Sequence, residues 1–484
     1  MSLTQIRNGY LKKDFVPSEV VQYFFNRIEK HNSKVNAVTS VNARALNLAK
    51  EMDAKAAQSV EKLYGIPLGI KEMFCTKGLL TTAASKILSN FVPPYSATVV
   101  ERLEKAGALV LCKTNQDEFA MGSSNEQSYH GACKNPWNLE YVPGGSSGGS
   151  AAFVAAGLGP ASLGTDTGGS IRQPASFCGI VGVKPTYGRI SRYGIIAFAS
   201  SLDQAGPMTR TVEDAALMLE VMCGADSKDA TTARAEVPEW SKKLNPNMKG
   251  IKVGILKEYT SDDIDPEIRK KMEETKAHLK ETGAEFVEVS VPLTEFAVPV
   301  YYLVAASEAS SNLSRYDGVR FGYRSDFSKK PAEDLEEFYS RSRGEGFGLE
   351  VKRRILIGTY SLSSGYYDAY YRKAGQVRRL LRDEFLKAFE KCDVILSPVA
   401  TTAAFKIGAR VDDPLKMYLN DIFTTATNLV GMPGMSVPVG FTSSGLPIGL
   451  QLTARHFEEQ KMLNVAYAME RQFQLTERIP DVCS

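Results

Sequence analysis

Apolar residues at Val21, Phe24, Phe25 and Ile28 follow the i, i+3, i+4, i+7 spacing of one helix face, with Pro17 and Ser18 at the start. The chain is therefore expected to open on an amphipathic helix. A second helix over about Ala97 to Ala106 stops at Gly107 and runs directly into the apolar strand Ala108 to Cys112, the helix-to-strand step of α/β proteins. The same alternation returns as strand Ile251 to Leu256, helix Pro266 to Thr282, Gly283, strand Glu285 to Val291 and, further on, strand Val394 to Ser397. Met435 to Phe441 and Pro447 to Thr453 read as two strands joined around Ser443-Ser-Gly445, a hairpin, before a last helix from about Glu458. The class is α/β.

A length of 484 residues suggests two or three folding units, or one large α/β domain. With 43% hydrophobic and 23% charged residues the chain can bury a large core without covalent staples. The formal net charge of +3, from 58 basic and 55 acidic side chains, lacks the concentrated positive field that nucleic-acid binding draws on. Any RNA is expected to be gripped by another chain. The seven cysteines are odd in number, scattered and never spaced as Cys-x-x-Cys, which favours a reducing compartment. The first residues carry no apolar signal core, and the longest weakly polar run, Ser150 to Gly164, falls short of the roughly 18 residues of a membrane span. A cytosolic protein is expected.

Between Gly144 and Gly194 the composition turns to Gly, Ser, Ala and Thr. Two glycine-flanked serine clusters stand there: Pro143-Gly-Gly-Ser146-Ser147-Gly-Gly-Ser150 and Gly164-Thr-Asp-Thr-Gly-Gly-Ser170-Ile-Arg172. A phosphate-binding turn is a weak rival, because neither Gly-x-x-x-x-Gly-Lys-Ser/Thr nor Gly-x-Gly-x-x-Gly is present there. Gly145-Ser-Ser147-Gly-Gly149 does fit the Gly-x-Ser-x-Gly nucleophile elbow, but that motif needs a strand before it. Asn135-Pro-Trp-Asn-Leu-Glu-Tyr-Val-Pro143 is too rich in proline and polar residues to be one. The elbow also needs a histidine downstream. His278 lies in a charged helix, which leaves His456.

A serine hydroxyl needs a base, and a lysine made neutral by burial can serve. Lys71 ends the apolar stretch Tyr64-Gly-Ile-Pro-Leu-Gly-Ile-Lys71-Glu72. Taken alone, the segment suits a lysine snorkelling to water equally well. Neutrality at pH 7 requires its pKa to fall by roughly 3 from about 10.4, worth about 4 kcal/mol.

GIPLGIKE, PGGSSGGSAA and LGTDTGGSIRQPASFCGIVGVKPTYGRIS together resemble the amidase signature family, in motif and in the spacings from Lys71 to Ser146 and from Ser146 to Ser170. The resemblance implies an amidase-signature α/β fold: a central mixed twisted sheet covered by helices on both faces. It implies one domain over 1–484, with a signature core at about 60–220 and a helical N-terminal region at about 1–58. It assigns Ser170 as nucleophile, Ser146 as a bridging serine behind a cis peptide bond, and Lys71 as base. Thr167, Gly168, Gly169 and Ser170 offer successive backbone N–H groups for an oxyanion hole. Asp166 and Arg172 are expected to brace that loop, and Ser147 and Ser150 to make turn hydrogen bonds.

Four further segments, Asp117 to Glu126, Ser307 to Arg320, Glu345 to Ile355 and Ser363 to Tyr371, are similar to the glutamine-hydrolysing subunits within that family. This implies glutamine as substrate, held by Arg354, Asp421 and Gly122, with Arg353 a competing candidate for the cation. It implies no cofactor or metal in this chain, and ammonia passed to a partner subunit that amidates Glu-tRNA(Gln) with ATP and Mg. That partner would carry most of the tRNA contact, and a third, small subunit would clamp the assembly. The bacterial cytoplasm or an organelle matrix is the expected location. A stand-alone amidase acting on another small amide is the second reading, and a glycine-rich nucleotide-binding module the third.

Overall fold

The computed structural model describes all residues except 59–60, 261–262, 411–416, 476–477 and 484. The helix expected at the start spans Pro17–Val35 and is the second one. A helix over Leu3–Lys12 precedes it, closed by a reciprocal capping box between Ser2 and Gln5. Its buried Leu3, Ile6 and Tyr10 lie one helical turn apart, a periodicity that the sequence does carry.

Eleven strands form one sheet: β1 (Val38–Val41), β2 (Pro67–Lys71), β3 (Leu109–Thr114), β4 (Ala161–Asp166), β5 (Val181–Lys184), β6 (Gln204–Thr209), β7 (Lys252–Leu256), β8 (Glu285–Val289), β9 (Val394–Pro398), β10 (Gly434–Phe441) and β11 (Pro447–Ala454). Their spatial order is β1-β3-β2-β4-β6-β5-β10-β11-β9-β7-β8. The sheet is mixed. β3, β2 and β4 run parallel, as do β9, β7 and β8, while the pairs from β4 through β6, β5, β10 and β11 to β9 are antiparallel. β10 and β11 form the expected hairpin. Helices flank the sheet, and among the described residues no helix is long and apolar enough to cross a membrane.

The parallel trio β3-β2-β4 places the chemistry. Every residue of β2, β3 and β4 is buried, as expected of parallel strands covered on both sides. Their carboxyl ends lie together at Lys71, Thr114 and Asp166. Such ends are where open α/β sheets build their sites, because the connecting loops emerge there. The short helix Gly148–Ala155 packs against this trio and is buried on all sides. Glycine and serine are poor helix formers, so burial and not propensity holds it.

Asn135 to Pro143 contains only isolated bridges and no strand, so the elbow at Ser147 has no strand to stand on. All seven cysteines are free and buried. Phe153, the largest side chain of the Gly148–Ala155 helix, is fully buried. Phe153→Ala is expected to destabilise the protein by about 3–5 kcal/mol, read as a lower urea midpoint. A loss below about 1 kcal/mol would show that the ring does not carry this packing.

Candidate active site

Lys71 closes β2 and is completely buried. Its Nζ lies 2.8 Å from each of three hydroxyls: Ser146 Oγ, Ser147 Oγ and Thr165 Oγ1. No carboxylate is among these partners. Burial lowers its pKa to about 7, against the opposing charges of Asp117, Asp166 and Asp203. At that value a large fraction of the amine is neutral at physiological pH, which a base requires.

The hydroxyl directions fix what the amine can do. Ser147 donates its own proton to the Thr165 carbonyl oxygen at 3.0 Å, so its oxygen accepts from Lys71. A neutral amine has two N–H donors and one lone pair. With the N–H groups on Ser147 and Thr165, the lone pair faces Ser146. Ser147 makes the loop hydrogen bonds expected from the sequence, to the Thr165 backbone, and in addition accepts from Lys71. Ser150 does serve structure, pairing with Thr114 Oγ1 at 2.6 Å and donating to the Leu163 carbonyl at 2.8 Å.

Ser146 follows a cis peptide bond from Gly145. Ser170 stands on the loop after β4, where the Ser147 N–H donates to the Ser170 carbonyl at 3.1 Å. Ser170 is 9% exposed, whereas Ser146 and Ser147 are sealed. Among the described residues its hydroxyl makes no hydrogen bond, so the open end of the site is the Ser170 end.

The Ser170 loop is pinned at three points. The Thr167 hydroxyl donates to Asp203 at 2.8 Å. The Thr424 hydroxyl donates to the Gly168 carbonyl at 2.6 Å. The Gly169 N–H donates to Asp166 Oδ1 at 2.9 Å. That last bond corrects the expected oxyanion donors: Gly169 is already engaged, whereas the N–H groups of Thr167, Gly168 and Ser170 have no hydrogen-bond partner among the described residues. Gly169 has φ 136°, and a Cβ there would fall 2.2 Å from Thr424 Oγ1, so the position demands glycine.

Behind the loop, Arg172 and Asp166 form the expected brace, a fully buried ion pair at 3.0 Å. Asn428 also donates to Asp166 at 2.8 Å. Burial would raise the Asp166 pKa, but Arg172 prevails and holds it down at about 2. His456 is far from this machinery in its bonding: its Nε2 lies 2.8 Å from the Val430 carbonyl.

A cleft lined by Gly122, Ser123, Tyr302, Glu350, Arg353, Arg354, Arg410 and Tyr418 gathers Gly122 and both candidate arginines, whereas Asp421 does not line it and connects to it through Ser123. Arg354 is only 3% exposed, while the side chain of Arg353 is 37% exposed. Both pair with Glu350, Arg354 through Nε at 2.7 Å. The Arg354 guanidinium lies 4.5 Å from the Tyr302 ring centre and 5.0 Å from that of Tyr418, close enough for cation–π attraction. The Tyr418 hydroxyl donates to Glu350 at 3.1 Å. Arg354 is thus the braced cation, and Arg353 the solvated one.

Asp421 is buried and accepts from the Ser123 hydroxyl at 2.6 Å. Burial pushes its carboxyl up to about 7, opposed by the Ser123 bond and by Arg354. Thr165, Ser123, Glu350, Tyr302 and Tyr418 were not singled out from the sequence. Ser123 and Glu350 lie inside two of the segments that carried the resemblance, but neither tyrosine gave a signal.

A model of the amidase family matches residues 19–463 of the chain. The chain is 65% identical to the A subunit of glutamyl-tRNA(Gln) amidotransferase from Bdellovibrio bacteriovorus, over 97% of this chain and 96% of that protein. It is 55% identical to the same-named protein of Geotalea daltonii, over 97% of each. Among solved structures, the A subunit of glutamyl-tRNA(Gln) amidotransferase from Thermotoga maritima superposes with a TM-score of 0.80 at 39% identity, covering 100% of this chain and 98% of that one. A peptide amidase bound to the competitive inhibitor chymostatin superposes with a TM-score of 0.85 at 28% identity, covering 99% of each.

Thr165→Val and Ser147→Ala each remove one acceptor from Lys71 while nearly preserving shape. Each is expected to lower kcat for amide hydrolysis about five- to tenfold, the worth of roughly one hydrogen bond. Unchanged kcat in both variants would show that these hydroxyls do not orient the base.

Proposed function

The chain belongs to the amidase family, and from that premise we propose that it is the glutamine-hydrolysing subunit of a tRNA-dependent amidotransferase. The observation that carries the chemistry is the sealed Lys71 amine, ringed by hydroxyls with Ser146 among them. The relatives' names support the biological role.

In this reading the Ser170 oxygen attacks the carbon of the substrate's side-chain amide. Its proton passes to Ser146 as the Ser146 proton passes to Lys71. The carbonyl electrons move onto oxygen, facing the free N–H groups of Thr167, Gly168 and Ser170. Collapse breaks the C–N bond, and the relay returns its proton to the leaving nitrogen, giving ammonia and an ester on Ser170. Water, activated through the same relay, cleaves the ester to glutamate. An arginine could not replace Lys71, because it stays charged.

Recognition follows from charge. Free glutamine carries a carboxylate and an ammonium, which suit Arg354 and Asp421, with Gly122 lining the cleft of Arg354. The chain would pass its ammonia to a partner subunit that binds ATP, Mg and most of the tRNA, with a small third subunit clamping both. The near-neutral net charge fits that division of labour. The site would lie in the bacterial cytoplasm or an organelle matrix.

Ser170→Ala is expected to reduce ammonia release from glutamine by at least about a thousandfold; undiminished release would remove Ser170 from the mechanism. Lys71→Arg is expected to be similarly inactive, and near-normal turnover would contradict a neutral base. Purification from native extract should bring two companion subunits, whereas a solitary chain would favour a stand-alone amidase.

The pH dependence follows in sign from Lys71. Below about 7 its ammonium has no lone pair for the Ser146 proton, so kcat is expected to rise with pH through about 7 and then level off. Asp421 is expected to lower KM as pH rises through the same range, since only its anion attracts the substrate ammonium. A kcat that is flat from about pH 5.5 to 8 would rule out Lys71 as the base.

A further inference from the structure

The segment Asp117-Glu118 joins the two halves of the site, and its second residue has no place in the mechanism above. Asp117 supports the serine side. Its backbone N–H donates to the Ser146 carbonyl at 3.2 Å, and its carboxylate accepts from the N–H groups of Asn125 at 2.9 Å and Gln127 at 3.2 Å. A Cβ on Gly145 would fall 2.1 Å from Asp117 Oδ2, and one on Gly122 2.4 Å from its Cγ. The bridging-serine loop and the cleft wall therefore both rest directly on this carboxylate.

Glu118 reaches the other half. Both of its oxygens accept from the N–H of Gly348, at 3.1 and 2.9 Å, and the Ser85 hydroxyl donates to it as well. Gly348 is the N-cap of the helix Leu349–Leu362, which carries Glu350 and Arg354. A carboxylate there satisfies an otherwise unpaired N–H and meets the positive end of the helix dipole. A Cβ on Gly348 would fall 2.3 Å from Glu118 Oε2, so no larger residue fits without breaking the contact. The helix is tied farther along where Gly358 meets the Ala306 carbonyl, but its Leu349 and Leu356 are largely exposed. Its first turn is held from the inside by the fully buried Val351 and, at the cap, by Glu118.

We propose that Glu118 is a positioning residue for substrate recognition: it latches the Arg354 helix to the loop that carries Ser146, and so sets the distance between carboxylate recognition and the nucleophile. The inference rests on the reading that Arg354 binds the substrate carboxylate. Arg354 lies six residues beyond Gly348, which at 1.5 Å per residue is about 9 Å along the helix. A shift or tilt of the first turn therefore displaces the guanidinium while leaving Lys71, Ser146 and Ser170 in place.

The test is a double-mutant cycle on the full chain in its native assembly, reading KM and kcat for glutamine by ammonia release, with thermal midpoints as the check on folding. Glu118→Ala is expected to raise KM about tenfold and to change kcat much less. Glu118→Gln, which keeps an acceptor for Gly348, should stay near wild type. Glu118→Ala combined with Arg354→Ala should be no worse in kcat/KM than Arg354→Ala alone. Gly348→Ala breaks the latch from the other side and should reproduce the KM effect, which carries the test if Glu118→Ala does not fold. Additive losses, or a fall in kcat at unchanged KM, would overturn the positioning role. An Arg354→Ala variant with unchanged KM would instead overturn the reading of Arg354, whatever Glu118 does.

Discussion

A lysine amine sealed from water without a carboxylate partner governs the rest of this structure. A buried ammonium is costly unless it is paired, and pairing it would destroy its use as a base. Three hydroxyls at 2.8 Å resolve the conflict. They accept from the amine in either protonation state, and the Ser146 hydroxyl can also donate to its lone pair, while adding no charge to hold the proton. The acids of the neighbourhood are kept one step back. Asp166 is tied up by Arg172, and Asp117 and Asp203 direct their oxygens at loop N–H groups.

That requirement explains which parts were legible beforehand. The strands over 252–256, 394–398 and 434–454 and the helices at 17–35, 98–105 and 266–281 follow from periodicity and glycine stops, and their ends agree within a few residues. The strand Ala161–Asp166 and the helix Gly148–Ala155 do not, because a segment buried on every side has no alternation to read. Their small residues are dictated by close approach around the loops, a tertiary demand. Ser146 and Ser170 were visible because glycine-rich motifs surround them, whereas Lys71 was legible through the resemblance that joins its segment to those two motifs. Ser147 and Thr165 were not assigned to the base, since how many acceptors an amine needs is decided only once strands β2 and β4 lie side by side. The partnership of Arg354 with Tyr302, Glu350 and Tyr418 likewise joins three distant segments, and burial together with the two ring contacts separates Arg354 from Arg353.

The two groups proposed to hold the substrate act as charges, where the proposed base must be neutral. Arg354 and Asp421 are buried too, yet each keeps a protein partner, Glu350 and Ser123 respectively. A buried charge with one partner is tolerated and still under-satisfied, so a ligand that supplies the opposite charge gains what water can no longer provide. A ligand lacking either charge leaves one of them short, and that shortfall is a stronger discriminator than shape alone. The Asp421 carboxyl, lifted to about 7 by burial, illustrates the point: near neutral pH a proton already relieves it part of the time, and a substrate ammonium would compete with that proton for the same oxygens.

Such a division makes the geometry between the two regions as important as either one. Lys71 stands on a strand end and the two serines on the loops beside it, whereas Arg354 stands on a helix whose outer residues Leu349 and Leu356 face solvent. A rigid reaction centre gains nothing from a recognition group that drifts by an ångström, because binding energy speeds the reaction only if it is realised at the correct position. The chain solves this locally. Two consecutive residues, Asp117 and Glu118, contact the serine loop on one side and the helix cap on the other, so the separation between them is set by a single peptide unit and not by the long path through the intervening fold.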